Sequence, residues 1–391
     1  MSNRVAPLTF NERQLFELVH RRANISRSEI SEITGLTPTT VSRLVSGLVE
    51  IGLLSEKADR AGQLGQPRKN LAVRAGQAFS VGVNFMRGRF DLAIVDIAGN
   101  IVFTDQVDID DVTPEGIAHL AADRLDAGVE MSGIDRGRIV GAGFSLPGGF
   151  SQDGETLLAH SHFPDFHEQK LAPLFADALD LRCSVDTDGA CAALGEYLYG
   201  HGAGYDTFFL VHIGHGVGGG AIIQGKLFRG AHGNASKPGV LFPYGTPRPS
   251  GQDLVETLVK AGIEIEDIAE IPEVVARAGE AVEAWIDRAS EQLATLGRVI
   301  TAFLDPEIII IGGRLPHRMN QRLVDTLSGK SLPGPSRGLT NAPFAASRLG
   351  PDSGVLGAAS LPVFSFFFPG SRQTSGNAYV DGRRRSEHQT S

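Results

Sequence analysis

The stretch from Ser26 to Gly52 carries a run of local signals that few folds accommodate. Ser26 stands three residues before Glu29, the spacing at which a hydroxyl and a carboxylate cap a first helical turn reciprocally. Ile30 and Ile33 supply that helix with a buried face, and Gly35 ends it because glycine takes positive φ without strain. Leu36 then plugs the core. Thr37 or Pro38 starts a further helix, with Thr37 as cap, Pro38 at the first helical position and Val41, Leu44, Val45 and Leu48 as the inward stripe. Upstream, Leu15, Phe16, Leu18 and Val19 recur at helical spacing and predict a helix over Asn11 to Arg22. Downstream, Leu53 to Glu56 and Asn70 to Val73 read as two short strands around a Gly-rich loop, Gly62 to Lys69.

Helix, short helix, glycine turn and longer helix is the helix-turn-helix arrangement, whose last helix enters the major groove, and the strand pair behind it is a wing. Thr39, Thr40, Ser42 and Arg43 face outward near the start of the recognition helix, with Ser26, Arg27 and Thr37 beside them as further candidate contacts to DNA. Hydroxyls there reach phosphates, and Arg43 is placed to pair with a guanine edge. Arg68 and Lys69 on the wing approach the backbone or the minor groove. Three short helices also pack as protein–protein modules; the basic wing argues for DNA.

Charge distribution agrees. The chain of 391 residues has a net charge of −9, yet residues 1–75 hold 11 Lys or Arg against 7 Asp or Glu, and the rest 25 against 38. A basic head on an acidic body suits a DNA-binding domain joined to one with another task. Runs such as Ile308 to Ile311 fall far short of the roughly 20 apolar residues of a membrane span, and no apolar segment follows Arg4 as in a secretory signal, so a cytoplasmic location is expected. Cys183 and Cys191 make neither a disulfide framework nor a zinc site.

The body reads as α/β. Ala78 to Asn84, Phe90 to Asp96 and Ile101 to Asp108 are strands, the last two joined at Gly99-Asn100. Ile139 to Ser145, Ser184 to Asp186, Thr207 to Ile213 and Ile308 to Ile311 are apolar enough for central strands, separated by helices such as Ala190 to Tyr199 and Val282 to Phe303.

Four landmarks stand in order: Gly141 to Gly148 (Gly-Ala-Gly-Phe-Ser-Leu-Pro-Gly), Val185 to Glu196 around Asp188-Gly189, Gly214 to Gly220, and Asp305-Pro306 through Gly312-Gly313. In these the chain, from about Ser80 to Ala359, resembles the ROK family of repressors and sugar kinases. The resemblance implies an actin-like, hexokinase-like fold of two lobes, and the winged helix in front matches the repressor branch, which includes regulators responding to xylose, glucose or N-acetylglucosamine. It implies a sugar site drawn from Pro147, Gly148, Thr187, Asp188, Asn234 and Lys237.

Departures from the kinase pattern bear on function. Where family kinases carry Asp-x-Gly-Gly-Thr for the nucleotide phosphates, this chain has Asn84-Phe85-Met86-Arg87-Gly88, with bulky side chains in place of both glycines. The kinases' Asn-Asp pair aligns with Thr187-Asp188, so the aspartate that serves them as base survives as a vestigial candidate, unless it merely caps the following helix. Their Glu-x-Gly-His aligns with Lys237-Pro238-Gly239-Val240, an exchange that inverts the local charge and either favours a body that serves only as a scaffold or points to an acidic ligand such as a sugar acid. Their zinc cysteines have no counterpart over Leu241 to Gln252, so no metal and no cofactor are expected, and His160, His162 and His167 read as loop residues. The Gly214 to Gly220 run is ambiguous, since any strand hairpin shows such a run.

The expected organisation is a winged helix-turn-helix over 1–75, one lobe over 76–185 completed by a helix near 352–365, a second lobe over 186–351, and a disordered tail over 366–391 containing Arg383 to Arg385. The expected function is a regulator, not an enzyme: a homodimer or homotetramer on near-palindromic double-stranded operator DNA, with a sugar or sugar derivative as effector. The alternatives are an active ATP-dependent sugar kinase and a DNA-binding protein whose body is only a scaffold for oligomerisation.

Overall fold

The computed structural model describes residues 5–22, 24–58, 69–86, 88–110, 112–243, 245–330 and 341–371. They divide into two compact units, 1–186 with 358–391, and 187–357.

In the first unit, α1 (Phe10–Arg21) starts at a Thr9 capping box with Glu12 and buries Leu15, Phe16 and Val19. Strand β1 (Ile25–Ser26) leads into α2 (Arg27–Thr34), where Ser26 and Glu29 form the expected capping box and Gly35 takes φ 69° at the C-terminus. Helix α3 (Pro38–Glu50) is capped by Thr37, with Val41, Leu44, Val45 and Leu48 turned inward. Two side chains depart from the sequence reading. Ile33 is 45% exposed because α2 spans only eight residues and its single buried side chain is Ile30, and Leu36 is half-buried rather than a plug. Strands β2 (Leu54–Ala58) and β3 (Lys69–Val73) pair antiparallel as the wing. A further pairing, Ile25 to Leu71 and Ser26 to Asn70, makes β3 the centre of a three-stranded sheet and ties the start of α2 to the wing.

The same unit continues with β4 (Phe79–Met86), β5 (Arg89–Asp96) and β6 (Ile101–Asp108), an antiparallel meander. Its β5–β6 turn is held by the Asp96 carboxylate, which accepts from the amides of Ala98 and Asn100. After α4 (Pro114–Ser132), β7 (Ile139–Leu146) pairs parallel with β4. A small hairpin of β8 (Gly148–Phe150) and β9 (Leu157–Ala159), then α5 (Leu171–Leu179) and β10 (Cys183–Thr187), complete a sheet ordered β6-β5-β4-β7-β10.

In the second unit α6 (Asp188–Tyr199) precedes β11 (Phe208–Ile213), β12 (Val217–Ile223) and β13 (Lys226–Phe228). Helices α7 (Gly251–Lys260), α8 (Ile271–Val274) and α9 (Gly279–Leu304) follow, then β14 (Ile308–Gly313), α10 (His317–Ser328) and β15 (Phe344–Ala346). Asp305, at φ 44°, stops α9 before the buried β14. The sheet order β13-β12-β11-β14-β15 repeats that of the first unit: a meander of three strands, then two more beyond its first strand. One architecture is thus built twice, each sheet covered by helices bearing apolar faces.

Among the described residues the last α-helix is α11 (Ser353–Phe367), followed by a short 3₁₀ turn at Pro369–Ser371. The expected tail therefore begins too early, because Phe367 and Phe368 are fully buried. Their partner is Phe16, some 350 residues earlier in sequence, whose ring lies 4.9 Å from that of Phe367 and 6.1 Å from that of Phe368. Arg383 to Arg385 lie outside the described residues.

Candidate DNA-binding and effector sites

The head presents the residues a recognition helix needs. Around the start of α3, Thr37, Thr39, Ser42 and Arg43 are exposed and Thr40 is half-buried, while the helix's apolar stripe is covered. Thr37 and Thr40 share a hydroxyl contact of 2.9 Å, and Thr37 Oγ1 accepts from the Thr40 amide. Ser26 is committed to its cap: its amide donates to Glu29 Oε2 at 2.8 Å, and its own hydroxyl donates there at 2.6 Å. Arg27 is also engaged internally. Its Nε donates to Glu56 Oε1 at 2.7 Å and its Nη1 to Ser42 O at 2.9 Å, so one guanidinium joins α2, α3 and the wing. Lys69 is exposed at the first residue of β3, and Arg68 lies outside the described residues.

In the first unit, β7 delivers Pro147 and Gly148 at its C-terminal end. Gly148 holds φ 146°, and a Cβ there would meet Leu158 O at 2.7 Å, so only glycine lets the β8–β9 hairpin close. The neighbouring end of β4 is filled. Phe85 is buried against Phe163 and Phe166, with ring centroids 5.7 and 5.0 Å away, and Met86 is still paired to Arg89 in the β4–β5 ladder. Arg87 lies outside the described residues.

In the second unit, Thr187 caps α6 by accepting from the Ala190 amide, which leaves Asp188 free of the capping role. One Asp188 oxygen accepts from the Gly189 amide at 2.7 Å, and the other lies 3.8 Å from His212 Nε2. The Asp188 side chain stays 41% exposed, so it is open to a ligand hydroxyl. His212, buried at the end of β11, has its pKa held below the ordinary value by desolvation; the carboxylate of Asp188 opposes that shift and Arg314 adds to it. Sequence reasoning missed this pair, although a histidine inside the apolar strand Phe-Phe-Leu-Val-His-Ile was the available signal.

The glycine run has a packing explanation. A Cβ on Gly189 would lie 2.3 Å from Gly219 O, and one on Gly220 would lie 2.4 Å from Gly189 O. Helix α6 therefore rests backbone to backbone on β12, with the Asp188 carboxylate beside Gly218, where a Cβ would lie 3.4 Å from Oδ1. The 3₁₀ helix Pro238–Leu241 lies against the same strand, since a Cβ on Gly239 would meet Val217 O at 2.5 Å. Lys237 is half-buried at its N-terminal boundary, Val240 is 80% exposed, and the half-buried Asn234 donates to His232 O at 3.2 Å. Thr187, Asp188, Asn234 and Lys237 thus belong to one unit, Pro147 and Gly148 to the other. Among the described residues no group of His, Cys, Asp or Glu could hold a metal ion, and His160 and His162 contact each other at 4.6 Å between centroids. No described helix is long and apolar enough to cross a membrane.

Comparison with known proteins agrees with both halves. The ROK family matches residues 80–242, and an IclR helix-turn-helix domain matches residues 14–58. The chain belongs to the ROK family and carries a helix-turn-helix in front of the family's actin-like domain. It is 44% identical over 378 residues, 96% of each chain, to the uncharacterized protein y4fQ of Sinorhizobium fredii. It is 32% identical over 226 residues to the bifunctional enzyme NanE/NanK of Brucella melitensis, a match spanning 55% of this chain and 41% of that one. Among solved structures, a ROK family transcriptional regulator homologous to the Escherichia coli MLC protein superposes with a TM-score of 0.69 at 21% identity, covering 93% of this chain and 97% of that one.

Proposed function

We propose that the protein is a transcriptional regulator of carbohydrate metabolism genes: it binds operator DNA through α3 and the wing, and its ROK domain senses a sugar or sugar derivative without phosphorylating it. The observation that carries this reading is the recognition helix, capped by Thr37, buried on one side and offering Thr39, Ser42 and Arg43 on the other. Met86, paired with Arg89 in the β4–β5 ladder at one of the positions where family kinases place glycine, supports the loss of the phosphate cradle. Asp188 retains an exposed carboxylate that accepts a sugar hydroxyl, and Lys237 favours an acidic derivative. Ligand that prefers one conformation of the body then changes DNA affinity by the difference in its binding to the two states. Repression is the expected sense of control, by a homodimer or homotetramer.

The test is a mobility-shift assay on the DNA upstream of the protein's own gene, repeated with xylose, glucose, N-acetylglucosamine and their acid forms. Retardation that a sugar alters, without ATP turnover on the same sugars, supports the proposal. Absence of retardation, or ATP-dependent phosphorylation lost in Asp188→Ala, overturns it.

A further inference from the structure

Asp253, in the first turn of α7, gathers hydrogen-bond donors from separate segments of the second unit. Its Oδ1 accepts from the Arg248 amide at 3.2 Å, and its Oδ2 accepts from Trp285 Nε1 at 2.9 Å and from the Arg288 guanidinium. Every one of these partners is an N–H, so the position calls for a side chain that only accepts, which a carboxylate is and a carboxamide is not. The helix cap does not need this carboxylate, because Ser250 Oγ accepts from the Asp253 amide at 3.3 Å. Trp285 and Arg288 both belong to α9, and Trp285 is fully buried in one core with Leu254, Val255 and Leu258. Asp253 therefore stands on a packed base.

Two turns are tied to that base. On one side, Arg248 Nη2 donates to Gly239 O at 3.3 Å, inside the 3₁₀ helix Pro238–Leu241 that begins beside Lys237, and Gln292 Nε2 of α9 donates to Pro247 O at 2.7 Å. On the other, the amides of Gly251 and Gln252 donate to Gly214 O at 2.8 Å and His215 O at 3.2 Å. A Cβ on Gly251 would lie 2.7 Å from Gly214 O, so the start of α7 rests directly on the β11–β12 turn. A Cβ on Gly214 would in turn lie 3.3 Å from His212 Nε2, the atom 3.8 Å from Asp188. Lys237 and Asp188 are thus carried by different segments, and both segments are tied back to the first turn of α7.

We infer that Asp253 is a positioning residue of the candidate effector site: it fixes the start of α7 so that the Pro238–Leu241 turn and the Gly214–Gly216 turn hold Lys237 and Asp188 at a set separation, for a sugar derivative that offers a hydroxyl to one and an acidic group to the other. Groups held in place before the ligand arrives bind it at a lower cost in ordering. The purpose of this clamp rests on the effector reading, whereas its mechanics do not.

The experiment is residue-resolved amide hydrogen exchange on the full chain, which needs no effector, followed by thermal-shift titration with D-gluconate and D-glucose. Asp253→Asn sets an N–H against donors; it is expected to speed exchange of the Gly251, Gln252 and Phe242 amides about tenfold and that of β14 less than about threefold. Arg248→Ala removes only the bond to Gly239 O, and is expected to speed the Phe242 amide about threefold or more with Gly251 and Gln252 near wild-type rates. This milder variant keeps the test decisive should Asp253→Asn not fold. Turn amides that stay at the wild-type rate in either variant, or that speed up by the same factor as β14 in Asp253→Asn, overturn the clamp. In the titration, gluconate is expected to stabilise the wild type more than glucose does, and Asp253→Asn to need about tenfold more gluconate for the same shift. Gluconate binding that Asp253→Asn leaves unchanged overturns the positioning role. A wild type stabilised by neither probe counts against the effector reading, and the exchange rates alone then decide the clamp.

Discussion

Arg27 holds Glu56 across 2.7 Å, and in doing so locks the short second helix of the head to the wing. The pair is partly exposed, with side-chain accessibilities of 29% and 20%, but Arg27 also donates to Ser42 O and contacts Ser46 Oγ, so three segments depend on one side chain. Arg27→Ala is expected to lower head stability by about 1–2 kcal/mol, measured by denaturant unfolding, with weaker DNA binding following from that loss.

Arg43 is the contrasting case. It is exposed on α3, so Arg43→Ala is expected to leave the melting temperature within about one degree and to cut operator affinity about tenfold or more, with little change for unrelated DNA. Titration by fluorescence anisotropy on both DNAs separates the two arginines; equal loss on specific and unrelated DNA would assign Arg43 to the phosphate backbone.

The aromatic socket sets the hold of the head. Phe16→Ala removes a fully buried ring that stacks on Phe367, and an expected cost of about 3–5 kcal/mol should appear in unfolding experiments and in rapid exchange of α1. A loss below about 1 kcal/mol would mean that the contact contributes no cohesion.

His20 makes that hold depend on acidity. Its Nε2 donates to Ile97 O at 3.0 Å, and desolvation, aided by the neighbouring Arg21 charge, brings its pKa down to about 4, with the Ile97 bond opposing. A histidine lowered on folding takes up its proton more readily when unfolded, so its neutral form stabilises the fold above the ordinary value near 6.5, and that contribution fades as pH drops from there towards 4. Unfolding followed between pH 7 and 4 should show this loss, and His20→Gln should flatten that part of the profile.

Asp188 is expected to act through its open carboxylate rather than through the helix cap, which Thr187 provides. Asp188→Asn should keep the unfolding midpoint and reduce stabilisation by any effector sugar about tenfold in apparent affinity, read by thermal shift. Thr187→Ala should do the reverse, costing about 1 kcal/mol of stability with smaller effect on ligand.

The elements were most legible where capping chemistry and periodicity are local. Ser26 with Glu29, Gly35, and Thr37 with Pro38 each announce a helix boundary within four residues, and all three stand in the structure. The strands of the first meander were equally plain, because Gly99-Asn100 and an apolar run on either side need no distant partner to be recognised. What escaped depends on contacts far apart in sequence. Phe367 looks like the start of a tail until Phe16 is beside it, β1 is two residues long and exists only because Leu71 pairs with Ile25, and β12 hides in a glycine run whose small residues make room for α6. At the candidate effector site, Asp188 and Lys237 were named from resemblance, whereas His212 stood out in sequence only as a histidine in an apolar strand and gained a partner when the fold set it 3.8 Å from Asp188.

The junction between the head and the first sheet is made of side chains drawn from both ends of the polypeptide: Arg13, Phe16 and His20 on one side, Ser365, Phe367 and Phe368 on the other. Anyone wishing to transplant this helix-turn-helix head onto a different body, or to fit this body with a new head, has to move the turn at Pro369–Ser371 and the end of α11 together with the amino-terminal helices. A graft cut cleanly at the wing would leave an oily socket open on one product and a bare aromatic helix on the other.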